Sequence, residues 1–139
     1  LMIKIQKKDF NIEQEIKLLK DKYSNVGAVI SFIGFVRDIN NKKDVKYIEL
    51  EVYEKMAIKE LSKIKDNAIK KFDLVDCLIV HRYGRLDVND RIVLVVCFSE
   101  HRNNSFEACK FIMDYLKKDV PFWKKEIYFK GSDWLENAN

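Results

Sequence analysis

Residues 12 to 22 carry Ile12, Ile16 and Leu19 at helical spacing, and Asn11 three residues before Gln14 has the form of a capping box. A first amphipathic helix is predicted there. The run AVISFIGFV, residues 28 to 36, is nearly continuous and rich in β-branched residues, which predicts a buried strand. KYIELEVY sets Ile48, Leu50 and Val52 against Glu49 and Glu51 and predicts a half-exposed one. Between them RDINNKKD, residues 37 to 44, is polar and turn-rich and reads as a mobile loop. Residues 56 to 72 place Ala57, Leu61, Ile64, Ala68 and Phe72 on one stripe of a second helix. CLIVHRY from Cys77 and RIVLVVCFS from Arg91 flank the turn residues Gly84, Asn89 and Asp90, so these two strands should pair antiparallel. Asn104 with Glu107 suggests a second capping box, opening a helix whose stripe is Phe106, Cys109, Ile112, Met113 and Leu116. Asp119-Val120-Pro121 must end it, because proline pushes the preceding residue out of the α region. PFWKKEIYF then returns as a short extended segment. Repeats and linkers are lacking, and the order of elements gives one α+β domain over 1–139.

Composition narrows the classes. With 47% hydrophobic and 35% charged residues, four glycines and one proline, the chain is neither disordered nor collagen-like. Lys and Arg number 26 against 22 acids, a net charge of +4 that by itself names no partner. The excess gathers late: between residues 101 and 130, Arg102, Lys110, Lys117, Lys118, Lys124, Lys125 and Lys130 face only Glu107, Asp114, Asp119 and Glu126. Cys77, Cys97 and Cys109 lie in apolar runs without CxxC spacing, which predicts reduced, structural thiols rather than disulfides or a metal site. No apolar run approaches the roughly 18 residues of a membrane span. A cytoplasmic protein is expected.

Two constellations could carry chemistry. His101-Arg102 stands just past a strand and just before a helix, where free N–H groups and cationic side chains suit phosphate or carboxylate. A helix-entry loop with solvated charges explains the same pair, and Arg37 at a strand end is equally ambiguous. Lys117 and Lys124 are separated by the helix stop and by Pro121-Phe122-Trp123, a turn that can bring the two ammonium groups together and depress their pKa values. Lysines near a helix C-terminus also simply favour the dipole. No catalytic triad, GxGxxG or P-loop is present, so spacing alone reaches an anion-binding α+β domain.

HRNNSFEACKFIMDYLKKDVPFWKKE at 101 to 126, with GAVISFIGFVRD at 27 to 38, IVHRYGRLDVND at 79 to 90 and GSDW at 131 to 134, resembles the large, catalytic subunit family of molybdopterin synthase. The resemblance implies an α/β hammerhead with an additional antiparallel β subdomain. It implies a sulfurtransferase of molybdenum cofactor biosynthesis that converts cyclic pyranopterin monophosphate into the molybdopterin dithiolene. The implied sulfur donor is the C-terminal thiocarboxylate of a small ubiquitin-like subunit, and the implied assembly is a heterotetramer around a central homodimer of large subunits. By the same resemblance Lys117 and Lys124 match the catalytic lysines, and Lys125 and Glu126 fall in the substrate-binding stretch. His101 and Arg102 match the pair that grips the phosphate side of the pterin, and Arg37 matches the arginine of the GxVR loop. Since the sulfur arrives on the partner and molybdenum enters later, neither a cysteine nucleophile, nor a metal, nor a cofactor is called for. The pattern departs at Phe35, where the family's loop carries lysine, and at Ala138, near the position of an arginine in some members.

Two rival readings belong to other classes. One is a non-catalytic module that binds a ubiquitin-like protein, against which Lys117 and Lys124 argue. The other is a nucleic-acid-binding domain, against which the small charge excess and the absence of aromatics interleaved with arginines argue.

Overall fold

The computed structural model describes residues 3–40 and 42–135. In chain order its elements are β1 (Ile3–Gln6), α1 (Ile12–Lys20), β2 (Ala28–Phe35), β3 (Ile39–Asn40), β4 (Lys43–Val52), α2 (Glu54–Phe72), β5 (Asp76–Arg82), β6 (Gly84–Asp87), β7 (Arg91–Ser99), α3 (Arg102–Lys118), β8 (Phe122–Tyr128) and β9 (Gly131–Leu135).

The two most apolar strands become the middle of the first sheet, whose order is β1-β5-β7-β2. β5 and β7 pair antiparallel, with Cys77 opposite Cys97, while β1 joins β5 in parallel. Both faces of this centre are covered, which is why its strands are apolar without alternation. Cys77, Ile79, Val93, Val95 and Cys97 pack with Leu61, Ile64 and Ala68 of α2 and Ala108, Ile112 and Leu116 of α3. Leu78, Val80, Leu94, Val96 and Phe98 face the other way, onto Phe10 and Leu19, with Ile12 and Ile16 of α1 beside them.

The second sheet is built on β4, with β8 and then β9 along one edge and β3 and β6 along the other. Its inward residues Val45, Ile48, Leu50, Leu86, Phe122 and Tyr128 share a core with α2, α3 and the first sheet. This antiparallel layer beside the α/β layer is the architecture expected.

Four local expectations need correction. The run from Ala28 is not a buried strand: among the described residues β2 pairs only with β7, at the sheet's edge, and leaves Phe32 40% and Phe35 52% exposed. The polar stretch after Arg37 is a tight hairpin, with Ile39 opposite Asp44 and Asn40 opposite Lys43. α3 begins three residues earlier than the Asn104 box predicts, with His101 at the N-cap and no side-chain cap bond. There Ser99 Oγ lies 2.6 Å from Ser105 Oγ and Ser105 Oγ lies 3.1 Å from the Cys97 carbonyl, so buried hydroxyls fix the helix entry instead. Phe106 falls off the buried stripe and is exposed, its place taken by Ser105 and Ala108. By contrast Asn11 caps α1, its Oδ1 accepting from the Gln14 N–H at 2.9 Å. α3 stops at Lys118, directly before the Asp119-Val120-Pro121 signal.

Candidate active site

The end of β2, the hairpin after it, the last turns of α3 and the inner face of β8 enclose a cavity of about 200 Å³. Each wall follows from a local rule. In β8 alternate side chains face opposite ways: Phe122, Lys124, Glu126 and Tyr128 turn inward, and Trp123 and Lys125 turn outward. On α3, Met113 and Lys117 are four residues apart and therefore share a face, which both present to the cavity. A register shift between Gly34 and Phe35 leaves Ile92 as an extra residue on β7, and Ile92 and Val93 then both line the cavity. Arg37, just past the strand end, completes the cationic set with Lys117 and Lys124.

Of the residues singled out in the sequence, Arg37, Lys117, Lys124 and Glu126 converge on this cavity. Lys125 does not. It pairs with Trp134 across β8 and β9, its Nζ 5.5 Å from that ring, on the opposite face of the sheet. His101 and Arg102 lie at the far end of α3, exposed, and fifteen residues of helix put Arg102 roughly 22 Å from Lys117. Phe35 lines the cavity and gives it an apolar wall. Ala138 lies outside the described residues.

Burial holds the Lys124 ammonium below the usual lysine range, with the Glu126 carboxylate opposing and the Arg37 guanidinium reinforcing that shift. Arg37 thus adds to the effect on Lys124, and Lys117 lines the same cavity. Glu126 is 3% exposed and accepts from Asn40 Nδ2 at 2.7 and 2.9 Å and from Tyr128 Oη at 2.9 Å. Burial, together with the bond to Glu126, pushes the Tyr128 phenol up to about 12. Asn40 is not legible in the sequence, because its contact with Glu126 spans 86 residues. Tyr128 is only two residues from Glu126, a same-face pairing that the strand spacing of β8 could have suggested. Cys77, Cys97 and Cys109 are free and buried. The bond to Cys97 and burial push the Cys109 thiol up, so it packs as an un-ionised side chain. Among the described residues no group of three or more His, Cys, Asp or Glu could hold a metal ion. Three cations and one satisfied carboxylate around an apolar-walled cavity suit an anionic, partly flat ligand.

The MoaE protein family matches residues 5–119 of the chain. The chain belongs to this family. It is 48% identical over 134 residues to the molybdopterin synthase catalytic subunit of Ralstonia nicotianae, covering 96% of this chain and 76% of that one. Identity to the molybdopterin synthase catalytic subunit of Pyrococcus abyssi is 44% over 128 residues, covering 92% and 85%. Among solved structures, the molybdopterin synthase of Staphylococcus aureus superposes with a TM-score of 0.90 at 33% identity, covering 97% of both chains. The MoaE family thus supplies the chemical frame in which the cavity is read.

Proposed function

We propose that this chain is the catalytic subunit of a molybdopterin synthase. It takes sulfur from the C-terminal thiocarboxylate of a small ubiquitin-like subunit and installs it in cyclic pyranopterin monophosphate as the dithiolene. The observation that carries this reading is the convergence of Arg37, Lys117 and Lys124, from three separate elements, on one cavity in a MoaE family chain. Lys117 assists attack by the thiocarboxylate sulfur and breakdown of the acyl adduct that results. Lys124, partly desolvated, stabilises anionic pterin intermediates and helps open the cyclic phosphate, which Arg37 orients. Glu126 stays beneath the site as a buried carboxylate, and Lys125 belongs to the outer face.

His101 and Arg102 serve such a cavity only if a second copy supplies them. The exposed apolar edge of β2 supports that arrangement, since a long unpaired edge strand without charge or proline invites pairing. Two copies of β2 related by a two-fold axis run antiparallel and set Ala28 of one against Phe35 of the other. Ala28 pairs with Ser99, two residues before His101, so this dimer carries His101 and Arg102 of one copy toward the cavity of its mate. The heterotetramer follows when each large subunit also takes up a small one. The three buried free thiols fit a reducing compartment and support a cytoplasmic setting. Among the described residues no helix is long and apolar enough to cross a membrane.

The deciding assay mixes the purified chain with thiocarboxylated small subunit and cyclic pyranopterin monophosphate and measures molybdopterin. The expected result is turnover that Lys117→Ala and Lys124→Ala each abolish. A wild-type chain that binds the small subunit without forming product would overturn the reading.

A further inference from the structure

The single amide nitrogen of Asn40 donates to both oxygens of Glu126, at 2.7 and 2.9 Å. A carboxylate withdrawn from water needs such donors, and bonds to a charged acceptor are about twice as strong as neutral ones. Glu126 stands two residues from Lys124 on the inner face of β8, where its charge supports the Lys124 ammonium against burial and against Arg37. Asn40 itself is three residues past Arg37, on the hairpin strand β3. One side chain therefore joins the hairpin bearing Arg37 to the strand bearing Lys124.

We infer that Asn40 is a positioning residue for the reaction proposed above: its amide aims the Glu126 carboxylate at Lys124 and holds the Arg37 hairpin down on β8. The role rests on the catalytic reading for its consequence and on the Asn40–Glu126 geometry for its existence. Substitutes fail for different reasons. Alanine releases Glu126, and aspartate sets a second carboxylate against it. The charged groups facing Lys124 are Glu126 on its own strand, Arg37 from the hairpin and Lys117 from α3. Its strand neighbours Leu50 on β4 and Leu135 on β9 are apolar.

Competitive acetylation of the folded chain, read by peptide mass spectrometry across pH, reports the titration of Lys124 without requiring turnover. Asn40→Ala should move its midpoint down, because the carboxylate that favours the ammonium is no longer aimed at it. Asn40→Asp should move it up by adding negative charge. In a Glu126→Gln background Asn40→Ala should add nothing. An unmoved Lys124 midpoint in both Asn40 variants would overturn the inference, even if their thermal stability fell. In the molybdopterin assay Asn40→Ala should lower kcat about 10–100-fold while leaving KM for the small subunit unchanged. Wild-type kcat in that variant would likewise overturn it. A wild-type chain that makes no product, with the Lys124 shifts still seen in the Asn40 variants, would sink the catalytic reading alone and leave the positioning contact standing.

Discussion

The imidazole of His81 lies flat on the ring of Phe122, with centroids 3.8 Å apart and planes 19° from parallel. His81 belongs to the first sheet and Phe122 opens β8 of the second, so this contact joins the two layers two residues before Lys124. Both side chains are fully buried. Phe122→Ala should cost about 3–5 kcal/mol of folding stability and Phe122→Leu distinctly less, because leucine refills most of the void. Urea midpoints on the two variants test this. An alanine variant as stable as the wild type would mean that the layers are held elsewhere.

Lys124 gives a prediction with a definite sign. Its pKa is lowered in the folded chain, so the unfolded chain binds the extra proton between the folded value and the ordinary lysine value near 10.5. The penalty for the buried ammonium is fully present below the folded pKa and is relieved as pH rises through that window. Lys124→Met should therefore be more stable than the wild type at neutral pH, and the advantage should shrink as pH approaches 10.5, while molybdopterin formation is lost. Denaturation at pH 7 and pH 10 decides it; a pH-independent difference would refute the assignment.

α2 ends in a strained cap. Asp73 adopts φ 51°, ψ 51°, the left-handed region, with its N–H and that of Leu74 both donating to the Ile69 carbonyl. Glycine takes this conformation without the Cβ penalty. Asp73→Gly should raise stability by up to about 1 kcal/mol and leave activity alone, measured by the shift in denaturation midpoint.

The open edge of β2 predicts its own disruption. Phe32→Glu puts a charge on the exposed apolar strand and should turn a dimer into a monomer by light scattering. If the sites are shared across copies, mixing inactive Arg102→Ala with inactive Lys117→Ala should restore about a quarter of wild-type activity, since half the dimers are mixed and each has one intact site. No recovery would mean that Arg102 acts within its own chain or not at all.

Much of this was legible along the chain because it depends on near neighbours. Periodicity located α1, α2 and α3, Pro121 gave the end of α3, and alternation in KYIELEVY gave the two-faced β4. Residue types pointed to Arg37, Lys117 and Lys124, and the resemblance carried by the late motif added Glu126 and the family. AVISFIGFV predicts a buried strand yet forms an edge, because a central and an edge strand can carry the same apolar run and only pairing distinguishes them. Lys125, which the resemblance places beside Lys124, turns to the other face because neighbours along a strand point in opposite directions.

Local pattern along the chain carries the helical and strand periods and the cations available for an anionic substrate. Tertiary structure alone decided which of them share a cavity, since that depends on the register of β8 against β4 and on the hairpin folding back 86 residues from Asn40 to Glu126. It also decided that Arg37 joins the two lysines at the cavity, and that one chain keeps His101 and Arg102 a helix length from its own site. Local pattern fixes what each residue can do. Long-range packing fixes what it does it with, because hydrogen bonds and Coulomb interactions act over a few ångströms of space, whatever the separation along the chain.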